Sequence, residues 1–551
     1  MRYVPLYALA MSALVLTGAQ AGPPAQPVAA VEPVTDSYFG TSVVDPYRWM
    51  EKGISDPRFL AYLKEQTAYT ASVLAPLAPQ RNELRDKLLH LSAAVTRIRN
   101  WNQAGGSLFY EQLDPAAAVA VLRVRPAGGN PRTLLDPANF AAAGSHAAID
   151  YFSPSLDGSR VAVGVAPGGS EDDTIHIVDT ATGQVLPDAI TRTQYGSPSW
   201  RADGRSFYYS RLQALPAGAP PSAVYENQRV YLHRLGSNPD SDKVVFGPGV
   251  DPGTAVPSKG FNGVGVIPRT PYLLAFHSAG TTDPALIFVG REGSTVWTPL
   301  IRASDHLATR GSSPFSARGT KLYAILQNVP NGRIVAYDLA KPQQAPETVV
   351  PETGKIIEGI FAASDGLYVE YRDGIHFSLA KVSDSGTVGA ALPLPYQGSI
   401  YGIDASPTEP GLRFGIDSWI RSPALFAYDP ADGRVTDTGL IPKDPSDLSH
   451  LTVREVTAES TDGASVPISI ILRDDMALDG THPALFEGYG AYGISLDPAF
   501  SSTLLEWVRR GGVLAVAHVR GGGEYGERWH LAGQKETKQH TIDDMIARRA
   551  T

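Results

Sequence analysis

The sequence predicts a β-propeller followed by the beginning of an α/β domain with a parallel sheet. Three observations carry this. A strand–turn–strand unit recurs through the middle of the chain. Gly and Pro number 54 and 44 among 551 residues, well above the roughly 12 % that average usage gives the pair. Near residue 442 the pattern changes from period-two strands to strands alternating with helix. The Gly and Pro excess implies many tight turns and short strands, which argues against a helical bundle.

Residues 1–21 carry Arg2, an apolar run from Tyr3 to Leu16, and the triplet Ala19-Gln20-Ala21. That is the pattern of an export signal cleaved after Ala21. The run is too short to span a bilayer comfortably, and no later stretch approaches 18 continuous apolar residues. The mature chain is therefore expected to be periplasmic or secreted, with no membrane segment. Residues 22–91 begin Pro-rich, continue with DPYRWME at 45–51, and then lack Gly from 56 onward. Leu84, Leu88 and Leu91 recur at helical spacing. Two helices are expected, parted near Pro76 and Pro79.

Residues 92–443 alternate apolar and polar positions between Asp-Gly, Asn-Gly and Pro-Gly turns. One unit starts at Phe152 with FSPSLDGSRVAVGV, a second at Ser197 with SPSWRADGRSFYYSRL, and a third at Ser313 with SPFSARGTKLYAIL. A weaker one holds PALFAYDPADGRV from Pro423. Asp157-Gly158 and Asp203-Gly204 lie 46 residues apart. A four-stranded unit of roughly 40–50 residues is the period of a propeller blade. A lone four-stranded sheet cannot cover its own faces, whereas blades stacked radially cover one another. The length suits seven blades; one or two β-sandwiches are the alternative.

Residues 444–551 open with two strands joined around Asp462-Gly463, then a strand beginning at Ala484. A helix is expected over 498–510, with Leu504, Leu505 and Val508 on one face and Gly511-Gly512 ending it. VLAVAHV at 513–519 is nearly all apolar, as in a strand buried on both faces of a parallel sheet. Strand, helix and strand make one βαβ crossover. A last helix starts at His540 and runs toward the end, with Thr541 and Asp544 at capping-box spacing.

Composition removes several function classes. Lys plus Arg is 47 and Asp plus Glu is 56, giving net −9, with no basic block, so nucleic acid is not an expected partner. Cys is zero, which removes disulfides, thiolate zinc sites and a Cys nucleophile and suits an oxidising compartment. The 12 His are scattered without H-E-x-x-H, so neither a metal nor a cofactor is expected. RGGGEYG at 520–526 lacks the Lys-Ser/Thr of a phosphate loop and reads as a structural turn at the carboxyl edge of the sheet.

Several segments then resemble one family. DPYRWME near the start, THPALFEGYGAYG from Thr481, GGVLAVAHVRGGGEYGERWHLAG from Gly511 and KQHTIDDM from Lys538 are similar to motifs of the prolyl oligopeptidase family of serine peptidases. RVYLHRLGS and SWIRSPALFAYD in the propeller also fit. The resemblance implies a seven-bladed β-propeller inserted in an α/β-hydrolase domain built from both chain ends. It places 22–91 in the helical part of the hydrolase domain, 92–443 in the propeller and 444–551 at the start of the catalytic domain. It also implies a monomer that cleaves short proline-containing peptides after proline, through a Ser–Asp–His triad with Ser in a G-x-S-x-G elbow.

By the same resemblance Tyr489 is the expected oxyanion donor, its hydroxyl facing the tetrahedral intermediate. On its own residue type it would read as a packed strand-end tyrosine. Tyr492 stands where the family has Phe lining the proline pocket. Gly488, Gly490 and Gly493 are expected to allow tight turns around these rings, with Arg520 and Gly521 as structural residues near the site. Glu524 and Arg528 are expected to form a local ion pair, Trp529 and His530 to pack and hydrogen-bond, and Asp543 and Asp544 to favour the positive end of a helix.

No G-x-S-x-G occurs in residues 1–551, so the family's Ser, Asp and His are expected to lie outside this sequence. The chain by itself is then expected to be inactive, with an exposed apolar sheet edge. Two other readings stand beside this one: a non-catalytic propeller that captures peptides, and a related oligopeptidase cleaving after Arg or Lys.

Overall fold

The computed structural model describes residues 25–92, 96–115, 117–280, 285–309, 311–477 and 479–549. The export-signal reading of 1–21 lies outside them.

Residues 25–90 form one compact unit. The Pro57–Leu74 helix starts where Asp56 accepts a hydrogen bond from the Arg58 N–H at 2.9 Å, with Pro57 at the first position; an acidic cap and an N-terminal proline both favour a helix start. A 3-10 turn over Ala75–Leu77 parts it from the Ala78–Ser92 helix. The break falls at Pro76, while Pro79 is absorbed into the first turn of the second helix. The DPYRWME motif ties this unit together. Asp45 accepts from the Tyr47 N–H and from Arg48. Trp49 is buried between Phe59 and Tyr62 and donates its indole N–H to the Ala30 carbonyl at 2.9 Å.

The second unit, from Leu91 on, opens with seven antiparallel four-stranded sheets in chain order. They cover 97–135, 147–190, 199–246, 261–301, 315–350, 356–391 and 399–437. This is the seven-bladed propeller. Its core is a ring of interfaces, each shared by neighbouring blades. Phe109 and Leu122 of the first meet Val161 and Val163 of the second. Ile175 and Ile177 meet Trp200 and Phe207, and Phe246 meets Phe288 and Trp297. The ring is completed by equivalent contacts between the fourth and fifth, fifth and sixth, and sixth and seventh blades. Each blade therefore buries the face its neighbour exposes, which is the reason such sheets are stable only in a ring.

Each of the seven blades is built from consecutive strands, so among the described residues no strand exchange closes the ring. Side chains close it instead. Trp101 packs on Tyr401 at 5.4 Å between ring centroids, Tyr110 clusters with Leu425, and the Gln103 N–H donates to Asp404 at 2.8 Å.

The α/β part is a five-stranded mixed sheet. The Leu451–Glu459 and Ser465–Arg473 strands form a hairpin, with a short pairing of Arg548–Arg549 on its outer side. The Val513–Ala517 strand lies antiparallel to the hairpin and parallel to the Ala484–Gly488 strand. The Ser502–Arg509 helix connects those two parallel strands, which is the expected βαβ crossover. All five residues of Val513–Ala517 are buried.

Details of two helices differ from the sequence reading. The first helix starts at Ser502, not 498, because the Ser501 side chain accepts from the Leu504 N–H and caps it there. Leu505 and Val508 face the core, but Leu504 is exposed. The last helix runs only over Gln539–Met545. The Ala484–Gly488 strand is an edge whose Leu485 and Phe486 are exposed.

Candidate functional site

The site forms where two loops leave the carboxyl ends of the parallel strands. Residues 489–493 follow one strand and 518–523 follow the other, and they pack directly together. Gly490 has φ +63, and a Cβ there would lie 2.7 Å from both the Arg520 carbonyl oxygen and Val519 Cγ2. Gly521 has φ +98, and a Cβ there would strike the Gly490 backbone. The Gly493 N–H donates to the Gly521 carbonyl at 3.0 Å. Lys538 donates to the Gly490 carbonyl, and the Thr541 hydroxyl donates to the Arg520 carbonyl at 2.7 Å. A Cβ on Gly488 would meet the end of the Met545 side chain, which can move. Gly490 and Gly521 are therefore required by backbone contact as well as by conformation.

Tyr489 stands at the end of its strand, 46 % exposed, and its hydroxyl has no hydrogen-bond partner among the described residues. It is not the packed tyrosine its residue type alone suggests. Tyr492 is 68 % exposed and held at φ +55. A non-glycine residue in this left-handed region costs roughly 1–2 kcal/mol, so the surrounding contacts impose it.

Arg520 lies beneath this loop, buried. Its guanidinium donates to both Asp544 carboxylate oxygens, from Nη2 at 2.6 Å and Nε at 2.9 Å, and to Asp462 from Nη1 at 2.6 Å. The Arg520 N–H donates to Asp544 as well, at 2.9 Å. The hydrogen bond to Arg520 holds the Asp462 carboxyl down at about 2. Asp544 thus does not act through a helix dipole. It sits in the last turn of its helix, buried, as the partner of Arg520. Thr541 holds the Arg520 carbonyl instead of capping. Asp543 accepts from Thr461 and Gln539 at the surface.

Glu524 does not pair with Arg528. It turns inward and is buried, while Arg528 is exposed; Glu524 accepts the Leu496 N–H at 3.1 Å. Trp529 packs edge-on against Tyr525 at 5.2 Å, and His530 Nδ1 lies 3.0 Å from the Gly521 carbonyl.

A Ser–His–Glu arrangement lies close by. Ser469 Oγ is 2.9 Å from His518 Nε2, and Glu524 Oε1 is 3.8 Å from Nδ1. All three are buried, and the cavity beside them measures about 140 Å³, well below the roughly 300 Å³ at which ligand pockets begin. It is a polar cluster inside the sheet, with the Ser469 hydroxyl closed to solvent.

The propeller fixes the segment that follows the tyrosine loop. Arg372 of the sixth blade pairs with Asp497, Ser399 of the seventh donates to the Pro498 carbonyl at 2.6 Å, and Asp417 accepts the Phe500 N–H at 2.8 Å. Burial pushes the Asp417 carboxyl up to about 6. A cavity of about 380 Å³ lies here, lined by Ser312, Glu370, Arg372, Ile494 and Asp497 among others. Sequence reasoning missed these ties. Their partners lie 83 to 125 residues apart, and no local pattern marks them.

Among the described residues no three His, Asp or Glu groups come together as a metal site.

Comparison with known proteins gives one consistent result. The family described as "Prolyl oligopeptidase, N-terminal beta-propeller domain" matches residues 26–438, and "Prolyl oligopeptidase family" matches 498–550. A prolyl endopeptidase of Elizabethkingia meningoseptica is 28 % identical over 515 residues, covering 93 % of this chain and 71 % of the relative. Dipeptidyl aminopeptidase BI of Pseudoxanthomonas mexicana is 25 % identical, covering 96 % and 74 %. A solved structure from work on two prolyl endopeptidases and their inter-domain dynamics superposes with TM-score 0.82 at 25 % identity, covering 95 % of this chain and 75 % of that one.

Proposed function

The chain belongs to the prolyl oligopeptidase family, and from that premise we propose that it is the propeller and first catalytic-domain portion of a serine peptidase that cleaves short peptides after proline. The observation that carries this reading is the placement of Tyr489. Its unpartnered hydroxyl stands at the carboxyl edge of the parallel strands, on a loop locked by Gly490 and Gly521. A donor held there suits the oxyanion of a tetrahedral intermediate, and removing one such donor costs roughly 10²–10³ in rate. Tyr492, on the same loop, would line the proline side chain's pocket with its ring.

The attacking alcohol does not come from a G-x-S-x-G within residues 1–551, and Ser469 is buried inside the sheet, closed to solvent. In this reading the 551-residue chain alone does not hydrolyse peptides, and the exposed Leu485 and Phe486 edge makes it prone to associate. Export with cleavage after Ala21 and a monomeric state belong to the same proposal.

The test is an assay of residues 22–551 on a chromogenic glycyl-proline substrate, together with sequencing of the locus beyond Thr551. No turnover is expected from the chain alone, and G-x-S-x-G, then Asp, then His from the locus. Turnover by the chain alone would overturn the reading. A continued frame without the serine elbow would favour the non-catalytic peptide binder.

A further inference from the structure

We propose that a cavity of about 600 Å³ on the second blade, lined by Asp150, Glu171, Asp173, Gln194 and Tyr195 among others, recognises an organic cation carried by a peptide, either a guanidinium or a primary ammonium. The inference rests on the reading above only in taking a peptide as the carrier.

Asp173 is the central observation. It is 2 % exposed, and its Oδ1 is buried without a hydrogen-bond partner. A buried carboxylate without a partner is expensive, and an unsatisfied polar group in a folded protein calls for an explanation. None of the neighbouring charges compensates it. Asp150 lies within hydrogen-bonding reach, Asp172 and Glu171 are close, and all three are acidic. Burial first, and these carboxylates second, push the Asp173 carboxyl up to about 8. Asp150, Asp172 and Glu171 around Asp173 give the site the chemistry that suits an organic cation, whose binding would draw the Asp173 proton off and hold its carboxylate.

The walls fit that class of ligand. The Gln194 side-chain amide donates to Glu171 at 3.1 Å, which orients the second carboxylate. Tyr195 is exposed at the rim, braced edge-on by Phe261 at 4.7 Å. Carboxylates beside an aromatic ring hold a guanidinium or ammonium by charge-assisted hydrogen bonds and cation–π contact. A metal ion would need a tighter convergence of oxygens, and no such group of three is found among the described residues.

The position also fits. Residues 171–173 join the second and third strands of their blade, and 194–198 join that blade to the next. In an antiparallel four-stranded blade these two connections lie on the same face of the ring. In the sixth and seventh blades the corresponding ends, Arg372 and Ser399, touch Asp497 and Pro498. The acidic cavity therefore lies on the propeller face that carries the tyrosine loop.

The test is direct binding by isothermal titration calorimetry to the 551-residue chain, with no turnover measured. Four probes separate the outcomes: N-acetyl-arginine methylamide, glycyl-prolinamide with a free amine, N-acetyl-citrulline methylamide as the neutral isostere, and calcium chloride. At least one cationic probe is expected to bind roughly tenfold tighter than the citrulline compound, and the one that does identifies the cation. Asp173→Asn should weaken it by a similar factor. Should that variant fold poorly, Glu171→Gln, at an exposed position, should weaken binding about threefold or more. No cation binding, equal binding of citrulline and arginine, insensitivity to both substitutions, or displacement of the cation by calcium would each overturn the proposal. None of these outcomes bears on the proline assay, so the two readings fail separately.

Discussion

The guanidinium of Arg372, on the sixth blade, grips both carboxylate oxygens of Asp497 at 2.5 and 2.9 Å, while its Nε donates to Glu358 at 2.6 Å. Asp497 lies five residues after Tyr492, so a blade of the propeller holds the chain that leaves the tyrosine loop. Arg372 is buried and Asp497 partly exposed; breaking a fully buried pair costs about 3–5 kcal/mol, and solvent at Asp497 places this one at the low end. Arg372→Met is expected to lower unfolding free energy by about 3 kcal/mol in urea titration and to speed hydrogen exchange in 493–500. Unchanged exchange there would remove the fastening role.

Glu370 sits beside this pair, buried, accepting from the Ser312 hydroxyl. Burial pushes its carboxyl up to about 8; the Ser312 hydrogen bond pulls the other way and Glu358 adds to the rise. A carboxyl whose folded pKa lies above its unfolded value stabilises the protein below the unfolded value, roughly 4.3. That contribution declines as pH rises toward the folded value, because the unfolded state ionises first. Glu370→Gln should therefore raise Tm at pH 8 relative to wild type, with a smaller gain at pH 5. Thermal scans across this range check the sign.

Tyr489→Phe tests whether the hydroxyl serves the fold. It is exposed and unpartnered, so stability should change by less than about 0.5 kcal/mol. In a frame that includes the serine elbow, kcat should fall roughly 10²–10³-fold. A large stability loss with little change in kcat would reverse the assignment.

Arg520→Lys keeps the charge but loses the fork that meets Asp544 and Asp462 together. Lys offers one point of charge where Arg makes paired, planar contacts. A loss of about 2–4 kcal/mol is expected, with exposure of the Gln539–Met545 helix to limited proteolysis.

Gly490→Ala and Gly463→Ala separate conformation from contact. Both glycines have positive φ, +63 and +83, but only Gly490 meets other atoms where a Cβ would stand. Gly463→Ala should cost about 1 kcal/mol from backbone strain alone. Gly490→Ala should cost at least about twice that, and equal losses would show that the loop contact yields.

The legible parts of the fold were those written in local pattern. The repeat at 152, 197 and 313 gave the propeller, and the apolar run at 513–519 gave a buried strand. The blade at 261–301 lacks the Ser-Pro entry and Asp-Gly turn, and its four-stranded sheet, packed between Phe246 and Leu322, marks it as a blade only in the structure. Within the candidate site, the glycine clusters and Tyr489 could be found by motif. The ends of the helices depended on details the pattern does not carry, such as the Ser501 cap.

By itself the sequence determined the order of elements, the radial repeat, the family resemblance and the want of a serine elbow in residues 1–551, because periodicity and motif spacing are local properties. Tertiary structure decided which charges meet. Asp544 became the partner of Arg520, Glu524 turned away from Arg528, and Asp173 was buried among carboxylates. Electrostatic pairing depends on distance and solvent exclusion in space, and neighbours along the chain specify neither.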